Sequence, residues 1–527
     1  MKYQVVIVGG GPVGVALAVD LGLRGISCLL VERHVEPQRI PKGQNLTQRS
    51  VEHFWRWGVV DELRAARAMP PEYPMSGIIA YGDLTTDDWY APPLRELVNS
   101  YYYQDNERLP QYRTEAVLRA KLATLPSVEA RFGWSMENVE QDDGGVRVTL
   151  ATADGAAREV IDAEYAVGCD GSHSQMRQQI GIPRSGADFD QVMVLAVFRS
   201  PELNEGLKRF PERSTYRVMR KELNGYWQFF GRIDVDEGWF FHAPVPKDTT
   251  RDNYDFHGLL QRVAGFDFAV EFDYVGFWDL RFDIAERYRV GRVFIAGDAA
   301  HSHPPYGGYG LNNGLEDAVN LGWKLAAALD GWGGEHLLES YGTERHPVFR
   351  DTAEGFIAER IETDRAFFER YNPEKDAAEF SHAWQEEHAG KSAPRVLGYE
   401  PHYEGSPIVA GPDGAESGAH GRHTFEARIG HHLPPQILSS GRNVFEELGP
   451  GFTLFAFDAD DAAVAGFKQA AVRLGVPFKL VIDSGADCLA EYGARLILVR
   501  PDQFIAWCGD EVPGDVGALM AQVAGHR

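Results

Sequence analysis

Apolar residues along this chain follow two rhythms, and the rhythm changes near residues 186 and 281. The opening run, Val5-Val6-Ile7-Val8, has no polar alternation, which is the pattern of a strand buried on both faces. Gly9-Gly10-Gly11-Pro12 breaks it. Val13, Ala16, Leu17 and Leu21 then recur at helical spacing, and a second unbroken run, Cys28-Leu29-Leu30-Val31, follows. The pattern predicts strand, turn, helix, strand. A helix is expected over 50–58, ending at Gly58, and another from about Thr114 to Leu125. Strands are expected at 129–133, 146–151, 158–161 and 165–168. From 186 to 280 the period becomes two: Val192–Phe198, Ser214–Arg220, Tyr226–Gly231, Trp239–Ala243 and Phe268–Trp278 predict an antiparallel sheet. Residues 76–104, rich in Tyr, Pro and Asp, lose helical periodicity and are grouped with that sheet. The α/β rhythm returns at Arg292–Ile295 and leads into a helical stretch reaching about 388. A Gly, Pro, Ser and His-rich segment, 391–429, is expected to cross the surface as a linker. In the tail, strands are predicted at 452–457 and 478–482, a helix at 462–474, and a hairpin formed by 494–500 and 504–508.

The chain is therefore expected to be an α/β protein. A Rossmann-like nucleotide-binding domain (1–75, 105–185 and 281–390) carries an inserted, mostly antiparallel β domain for substrate (76–104 and 186–280). After the linker comes a small α/β domain at 430–527. The length of 527 residues accommodates about three domains. A net charge of −25 argues against nucleic acid or an anionic membrane as partner. No run of 18 apolar residues occurs. The apolar N-terminus is broken by glycines and by Asp20, so it does not read as a signal peptide. A cytoplasmic location is expected. The four cysteines, Cys28, Cys169, Cys488 and Cys508, form no CxxC and lie near no metal-spaced histidine pair, so no metal is expected.

Three motifs carry chemistry. Gly9-x-Gly11-x-x-Gly14 between a strand and a helix, with Glu32 ending the next strand, has the form of an adenine dinucleotide site. The glycines permit a tight turn, close approach to a pyrophosphate and helix–sheet packing, and the acid can bind ribose hydroxyls. That acid argues against a 2′-phosphate here, but the motif does not separate FAD from NAD. The second motif is Asp170-Gly171-Ser172-His173-Ser174-Gln175-Met176-Arg177, a turn opening a helix. The third is Gly297-Asp298-Ala299-Ala300, followed by the loop 304–314, which contains Gly307, Gly308, Gly310 and Gly314. It places a carboxylate at a sheet's C-terminal edge and bare backbone N–H groups beside it.

In this order, and with Gln111-x-x-x-Glu115-x-x-Leu118 and Asp317-Ala318, the motifs resemble those of the single-component flavoprotein aromatic hydroxylases, which are para-hydroxybenzoate hydroxylase-like and phenol hydroxylase-like monooxygenases. Gly430-His431-His432-Leu433-Pro434 and the hairpin around Pro501-Asp502 resemble the phenol hydroxylase branch, whose C-terminal domain is thioredoxin-like. Here that domain lacks CxxC, which argues for a structural or dimerising role.

The resemblance implies FAD as cofactor, NADH or NADPH as reductant, and dioxygen. It also implies a phenolic or related aromatic substrate hydroxylated through a C4a-hydroperoxyflavin, in a homodimer. It assigns Gly9, Gly11 and Gly14 to the pyrophosphate, Glu32 and Arg33 to the adenosine half, and Gln111 to the extended chain of the cofactor. Asp298 would bind ribityl or phosphate-side hydroxyls, and Gly310, Leu311 and Asn312 the isoalloxazine edge. Asp170 would also contact the cofactor, and Arg49 lies in a segment expected over flavin and substrate. The acid that relatives carry in that segment is replaced by Gln44-Asn45, so the catalytic base is sought elsewhere: Tyr216, Arg217, His242 and Tyr306, with His303 at the mouth. Tyr101-Tyr102-Tyr103 offers further aromatic lining. The absence of a second GxGxxG leaves NADH against NADPH open. Epoxidation or Baeyer–Villiger-like oxidation of a non-phenolic substrate is the alternative on this fold. A non-catalytic flavin-sequestering protein is the alternative outside enzymology.

Overall fold

The computed structural model describes residues 2–74, 76–92, 95–388, 392–459 and 461–527, so the expected boundary at 390/391 lies outside the described residues. The two unbroken apolar runs at the N-terminus form the centre of a six-stranded sheet. Its order is Arg289–Val290, Val293–Ile295, Tyr165–Gly168, Val5–Val8, Cys28–Glu32, Val128–Phe132. All neighbours are parallel except the edge pair 289–290/293–295. Helices Pro12–Leu23 and Tyr309–Leu329 pack on this sheet and on each other. Gly14, Gly297 and Gly314 make this possible, because a Cβ on Gly297 or Gly314 would press into Val13.

The period-two region forms an eight-stranded sheet. Its order is His301–Ser302, Glu271–Ala285, Arg184–Arg199, Gly238–Pro246, Trp227–Arg232, Thr215–Met219, Ile78–Tyr81, Trp89–Tyr90. Pairing is antiparallel except between Thr215–Met219 and Ile78–Tyr81, which run parallel. Alternation sorts the side chains onto two faces. On the outer face Val194, Tyr216, Val218, Phe230 and Phe241 pack against helix Phe256–Ala264. On the inner face Met193, Met219, Trp227 and Leu280 meet Tyr306 and residues of helix Glu359–Arg370.

The tail folds as a four-stranded sheet, ordered Phe478–Asp483, Phe452–Phe457, Leu496–Val499, Ile505–Gly509, with helix Asp461–Leu474 beside it. Its cysteines are free. Segment 392–429 departs from the expected surface linker. Tyr403 and Ile408 are fully buried, and Tyr399–His402 pairs with Gly418–His420. Its glycines and prolines turn a chain that is anchored by apolar side chains at intervals. Among the described residues no helix is long and apolar enough to cross a membrane.

The tail is held by ions, not thiols. Glu344, on helix Glu335–Asp351, accepts from Arg500 Nη1 at 2.6 Å and Lys324 Nζ at 2.6 Å, and all three side chains are fully buried. Arg500 also donates to Asp502 at 2.6 Å, and Trp323 Nε1 donates to the same carboxylate at 3.0 Å. The two basic groups hold Glu344 well below the usual carboxylate range against the opposing effect of burial.

Candidate active site

Three glycine-containing turns meet at the C-terminal edge of the parallel sheet, where open α/β sheets bind ligands. At the first, Gly9 adopts φ 111°, and a Cβ on Gly14 would overlap the Gly9 carbonyl oxygen. A Cβ on Gly11 would meet nothing within 4 Å, so this backbone faces open space. The first N–H groups of helix Pro12–Leu23 point there without intrahelical acceptors. Glu32 is pinned beside the turn by Gly10 N at 2.6 Å and His34 N at 2.8 Å, and its carboxylate retains acceptor capacity for hydroxyls. Arg33 is exposed next to it.

At the second turn Asp170 accepts from Ser174 Oγ at 2.5 Å and Met176 N at 3.1 Å. Its carboxylate shapes the helix start, so its contribution to a ligand would be indirect. Arg177 extends the turn to the third motif, donating to the Ala299 carbonyl at 3.0 Å. The Gly297–Ala299 turn is fixed from below by buried Asp317. That carboxylate accepts from Gly297 N at 3.0 Å and Arg345 Nε at 2.8 Å, and bonds His301 Nε2 at 2.7 Å. Asp298 itself faces open space and makes no hydrogen bond through its carboxylate to a described residue. The surrounding protein nevertheless raises its pKa by desolvation.

The glycine loop ends at Gly308, with φ 68°, which caps helix Tyr309–Leu329. The helix start presents the backbone N–H groups of Gly310 and Leu311. A side chain on Gly43 would crowd both Leu311 and Gln111, so three segments converge here. Asn312 does not offer its side chain. Its Oδ1 accepts from Thr47 N at 2.8 Å and Ser50 Oγ at 2.6 Å, and its Nδ2 donates to Asn45 O at 2.9 Å and Gly308 O at 2.6 Å. It ties the 45–50 segment to the helix start.

Arg49 requires a correction. Its five donors go to Glu316 (twice), Glu52, Gln503 Oε1 and the Asp502 carbonyl, which leaves none for a flavin. It joins the N-terminal half to the tail. Gln44 is the residue that sequence reasoning passed over: it is buried, and neither its Oε1 nor its Nε2 has a hydrogen-bond partner. Two orphaned amide atoms beside this edge suit the polar rim of a bound ring system. Together with the Gly11 cradle and the free Asp298, they fit FAD.

Of the candidate catalytic residues, Tyr216 is on the wrong face. It packs in the outer core against Phe210 and Trp239, with ring centroids 5.9 and 6.1 Å away. A one-residue step along a strand reverses the face, so Arg217 points inward. His242 is on the inner face, stacked on Phe229 at 5.7 Å and edge-on to Trp278 at 5.1 Å. Burial lowers its pKa to about 3, so it is neutral and only weakly basic at ordinary pH. Tyr306 donates its hydroxyl to the Gly225 carbonyl at 2.7 Å, and its ring lies 4.7 Å from Trp227. It fastens the 304–308 loop to the sheet. Burial raises its pKa well above the ordinary tyrosine value, so it does not act as a base. His303 faces Gly310 at the mouth, its Nε2 has no partner, and burial lowers its pKa to about 4. Tyr101 and Tyr102 pack on His423, and Tyr103 stacks on Phe445 at 5.2 Å, so all three serve the contact with the chain's C-terminal part.

The depressed His242 has a measurable consequence. The unfolded histidine binds a proton below about 6.5 and the folded one only near 3, so stability is present above the unfolded value and falls as pH drops between them. Acidifying from neutral pH to about 4.5 should remove about 2–3 kcal/mol through this group. The loss should shrink in His242→Phe. Equal acid sensitivity of the two proteins in chemical denaturation would show that His242 titrates normally.

The fold and this edge define a flavoprotein of the hydroxylase type. Residues 2–355 match the FAD binding domain family, and the chain belongs to it. It is an FAD-dependent monooxygenase. The FAD-dependent monooxygenase apdD of Emericella nidulans is 30% identical over 99% of this chain and 90% of its own length. The 4-methyl-5-nitrocatechol 5-monooxygenase of a Burkholderia species is 30% identical over 99% of this chain and 96% of its own. The rebeccamycin biosynthetic enzyme RebC with reduced flavin superposes at a TM-score of 0.85, with 28% identity over 100% of this chain and 99% of that one.

Proposed function

We propose that this monooxygenase hydroxylates a phenolic aromatic ring, using NADH or NADPH as reductant and dioxygen as oxidant. The observation that carries the reading is the 304–311 loop. One end forms the helix start over the flavin edge, and the other is fastened through Tyr306 to an aromatic sheet face carrying Trp227, Phe229 and Trp278. A ring held on that face would lie beside the helix start that would hold the cofactor. The 30% identical relative named for a nitrocatechol supports a phenolic substrate.

FAD supplies redox storage and oxygen activation when bound. The protein's part is binding, orientation and exclusion of water. Helix dipoles at Pro12 and Tyr309 favour negative charge at the pyrophosphate and the ring edge. Trp227, Phe229 and Trp278 exclude water and stack the substrate. The Arg217 guanidinium favours the ionised phenol over the neutral one. With His242 and Tyr306 neutral, no described side chain on this face is a strong base, and the phenol proton is expected to leave to solvent through the mouth at His303.

The test is a screen of phenols, anilines and nitrophenols for substrate-stimulated NADH or NADPH oxidation, with product mass and ring position determined. Coupled hydroxylation of a phenol supports the reading. An oxygenated product from non-phenolic compounds alone would identify epoxidation or Baeyer–Villiger-like chemistry. Asp298→Ala should retain the fold and weaken FAD about tenfold, as for loss of one charge-assisted hydrogen bond. Unchanged FAD affinity in fluorescence titration would remove Asp298 from the cofactor site.

A further inference from the structure

Away from the flavin edge, the segment that leads into the tail brings three metal-ligating side chains together. Among the described residues, His402, Glu404 and His431 each place a ligand atom within 4.8 Å of the other two. His402 ends strand Tyr399–His402, Glu404 follows two residues on, and His431 arrives just after Gly430. The backbone fixes the two stretches side by side, with Tyr403 N donating to the Gly430 carbonyl at 2.7 Å. The two imidazole rings stack, with centroids 4.8 Å apart and planes at 14°. None of the four cysteines takes part.

Each histidine commits one nitrogen to an orienting partner. His402 Nε2 donates to the His420 carbonyl at 3.2 Å, which sets the tautomer and leaves the lone pair on Nδ1. That Nδ1 is buried and has no hydrogen-bond partner. Burial and the neighbouring His431 lower the pKa of His402, so the ring is neutral, the form that binds metal. On buried His431, Nδ1 donates to Glu400 at 3.0 Å. Burial works against the charge on Glu400, but His431 and Arg428 hold its carboxyl at about 2, so it stays an acceptor. A carboxylate behind a ligating imidazole is the usual support of a metal site. His431 Nε2 faces Glu404 Oε1 at 2.7 Å, a distance that needs a proton between them.

A plain ion-pair cluster accounts for His431 between its two carboxylates. It does not account for the buried, unpaired nitrogen of His402 beside them. Tetrahedral zinc, with bonds of about 2.0–2.1 Å, sets neighbouring ligand atoms about 3.3 Å apart. The His431–Glu404 contact therefore has to open slightly and the His402 ring to tilt inward. The Glu404 side chain is 36% exposed, so it has room to move, and an ion can enter from solvent beside it.

We infer that His402 Nδ1, His431 Nε2 and a Glu404 carboxylate oxygen form a binding site for one divalent transition-metal ion, with zinc the best match, supported by Glu400 and completed by water. Two imidazoles and one carboxylate are a donor set that zinc takes, whereas magnesium and calcium call for more oxygen ligands. The ion takes the place of the proton between His431 and Glu404. It clips the start of the 404–431 stretch to its end and so fastens the approach to the tail domain. The site stands independently of the hydroxylase reading.

The test uses FAD-loaded protein without a histidine tag, dialysed against a chelator and titrated with Zn²⁺ in competition with a chromophoric chelator. One Zn²⁺ per chain should bind with a Kd of about 10 µM or tighter. Glu404→Gln and His402→Gln should each weaken it at least about tenfold. His336→Gln, which removes an exposed histidine paired with Glu339, should leave the affinity within about twofold. Co²⁺ in place of zinc should give the strong visible bands of a four-coordinate ion, at wavelengths beyond the flavin absorption, and both ligand variants should lose them. Binding weaker than about 10 µM in the wild type, unchanged affinity in either ligand variant, or only the faint spectrum of six-coordinate cobalt would overturn the inference. The wild-type affinity and cobalt spectrum are read without any variant, so they decide the matter even if a substitution disturbs the fold.

Discussion

Gly14→Ala is expected to purify without bound FAD. The added Cβ would overlap the Gly9 carbonyl oxygen, and Gly9 has little freedom to withdraw, because it is at φ 111° in a turn so close to the Cys169 carbonyl that a Cβ on Gly9 would itself overlap that oxygen. The helix must therefore slide outward, taking with it the N–H groups that face the pyrophosphate. Overpacking of this kind costs about 1–3 kcal/mol in the fold alone. Loss of the phosphate cradle adds to it, so FAD affinity should fall at least about a hundredfold, equivalent to roughly 3 kcal/mol. The ratio of flavin to protein absorbance and a fluorescence titration of the apoprotein read this directly. A variant that keeps a full complement of flavin would mean that the cofactor's phosphates lie elsewhere.

Glu344→Gln should be the most destabilising single change away from the cofactor. It removes the negative partner of Lys324 and one of the two carboxylates on Arg500 at a fully buried site, leaving the Lys324 cation facing an amide. Breaking a buried pair by deleting one member costs about 3–5 kcal/mol. Because Arg500 belongs to the tail and Glu344 to a helix of the preceding part, thermal melting should shift down and separate into two transitions. Ser406→Ala, which loses only a neutral donor to the same carboxylate, should cost about 1 kcal/mol. An unchanged melt for Glu344→Gln would show that the tail is held by its apolar contacts, such as those of Phe452 with Trp323 and Trp332.

Much of this site was legible because local backbone chemistry dictates it. A turn that needs glycine at Gly9 and Gly14, a carboxylate at a strand end such as Glu32, and a glycine loop before a helix are all short-range features. Their residues fall within a few positions of one another. The misreadings share a different origin. Arg49 sits in a polar stretch beside the flavin edge, yet its partners Asp502 and Gln503 are far along the chain. Nothing near position 49 announces them. Tyr216 and Arg217 are adjacent in a strand covered on both faces, where apolar alternation fades and either residue could face inward. The 391–429 segment has a linker's composition, but Tyr403 and Ile408, spaced among its glycines, are enough to bury it. Gln44 stands where relatives carry an acid, and only the folded chain, which leaves both of its buried amide atoms without partners, gives it a role.

For laboratory evolution, the two-faced sheet divides the coding sequence into alternating codons with different tolerances. Randomising 217, 229 and 278, the inner positions that are only partly buried, would change what a substrate meets and leave the packing behind the sheet intact. Shifting the same library by one position, to 216, 230 and 277, would move it into side chains that hold the sheet on its helix, and most members would fail to fold. The boundary between altered selectivity and lost protein therefore runs between neighbouring codons, not between regions of the gene.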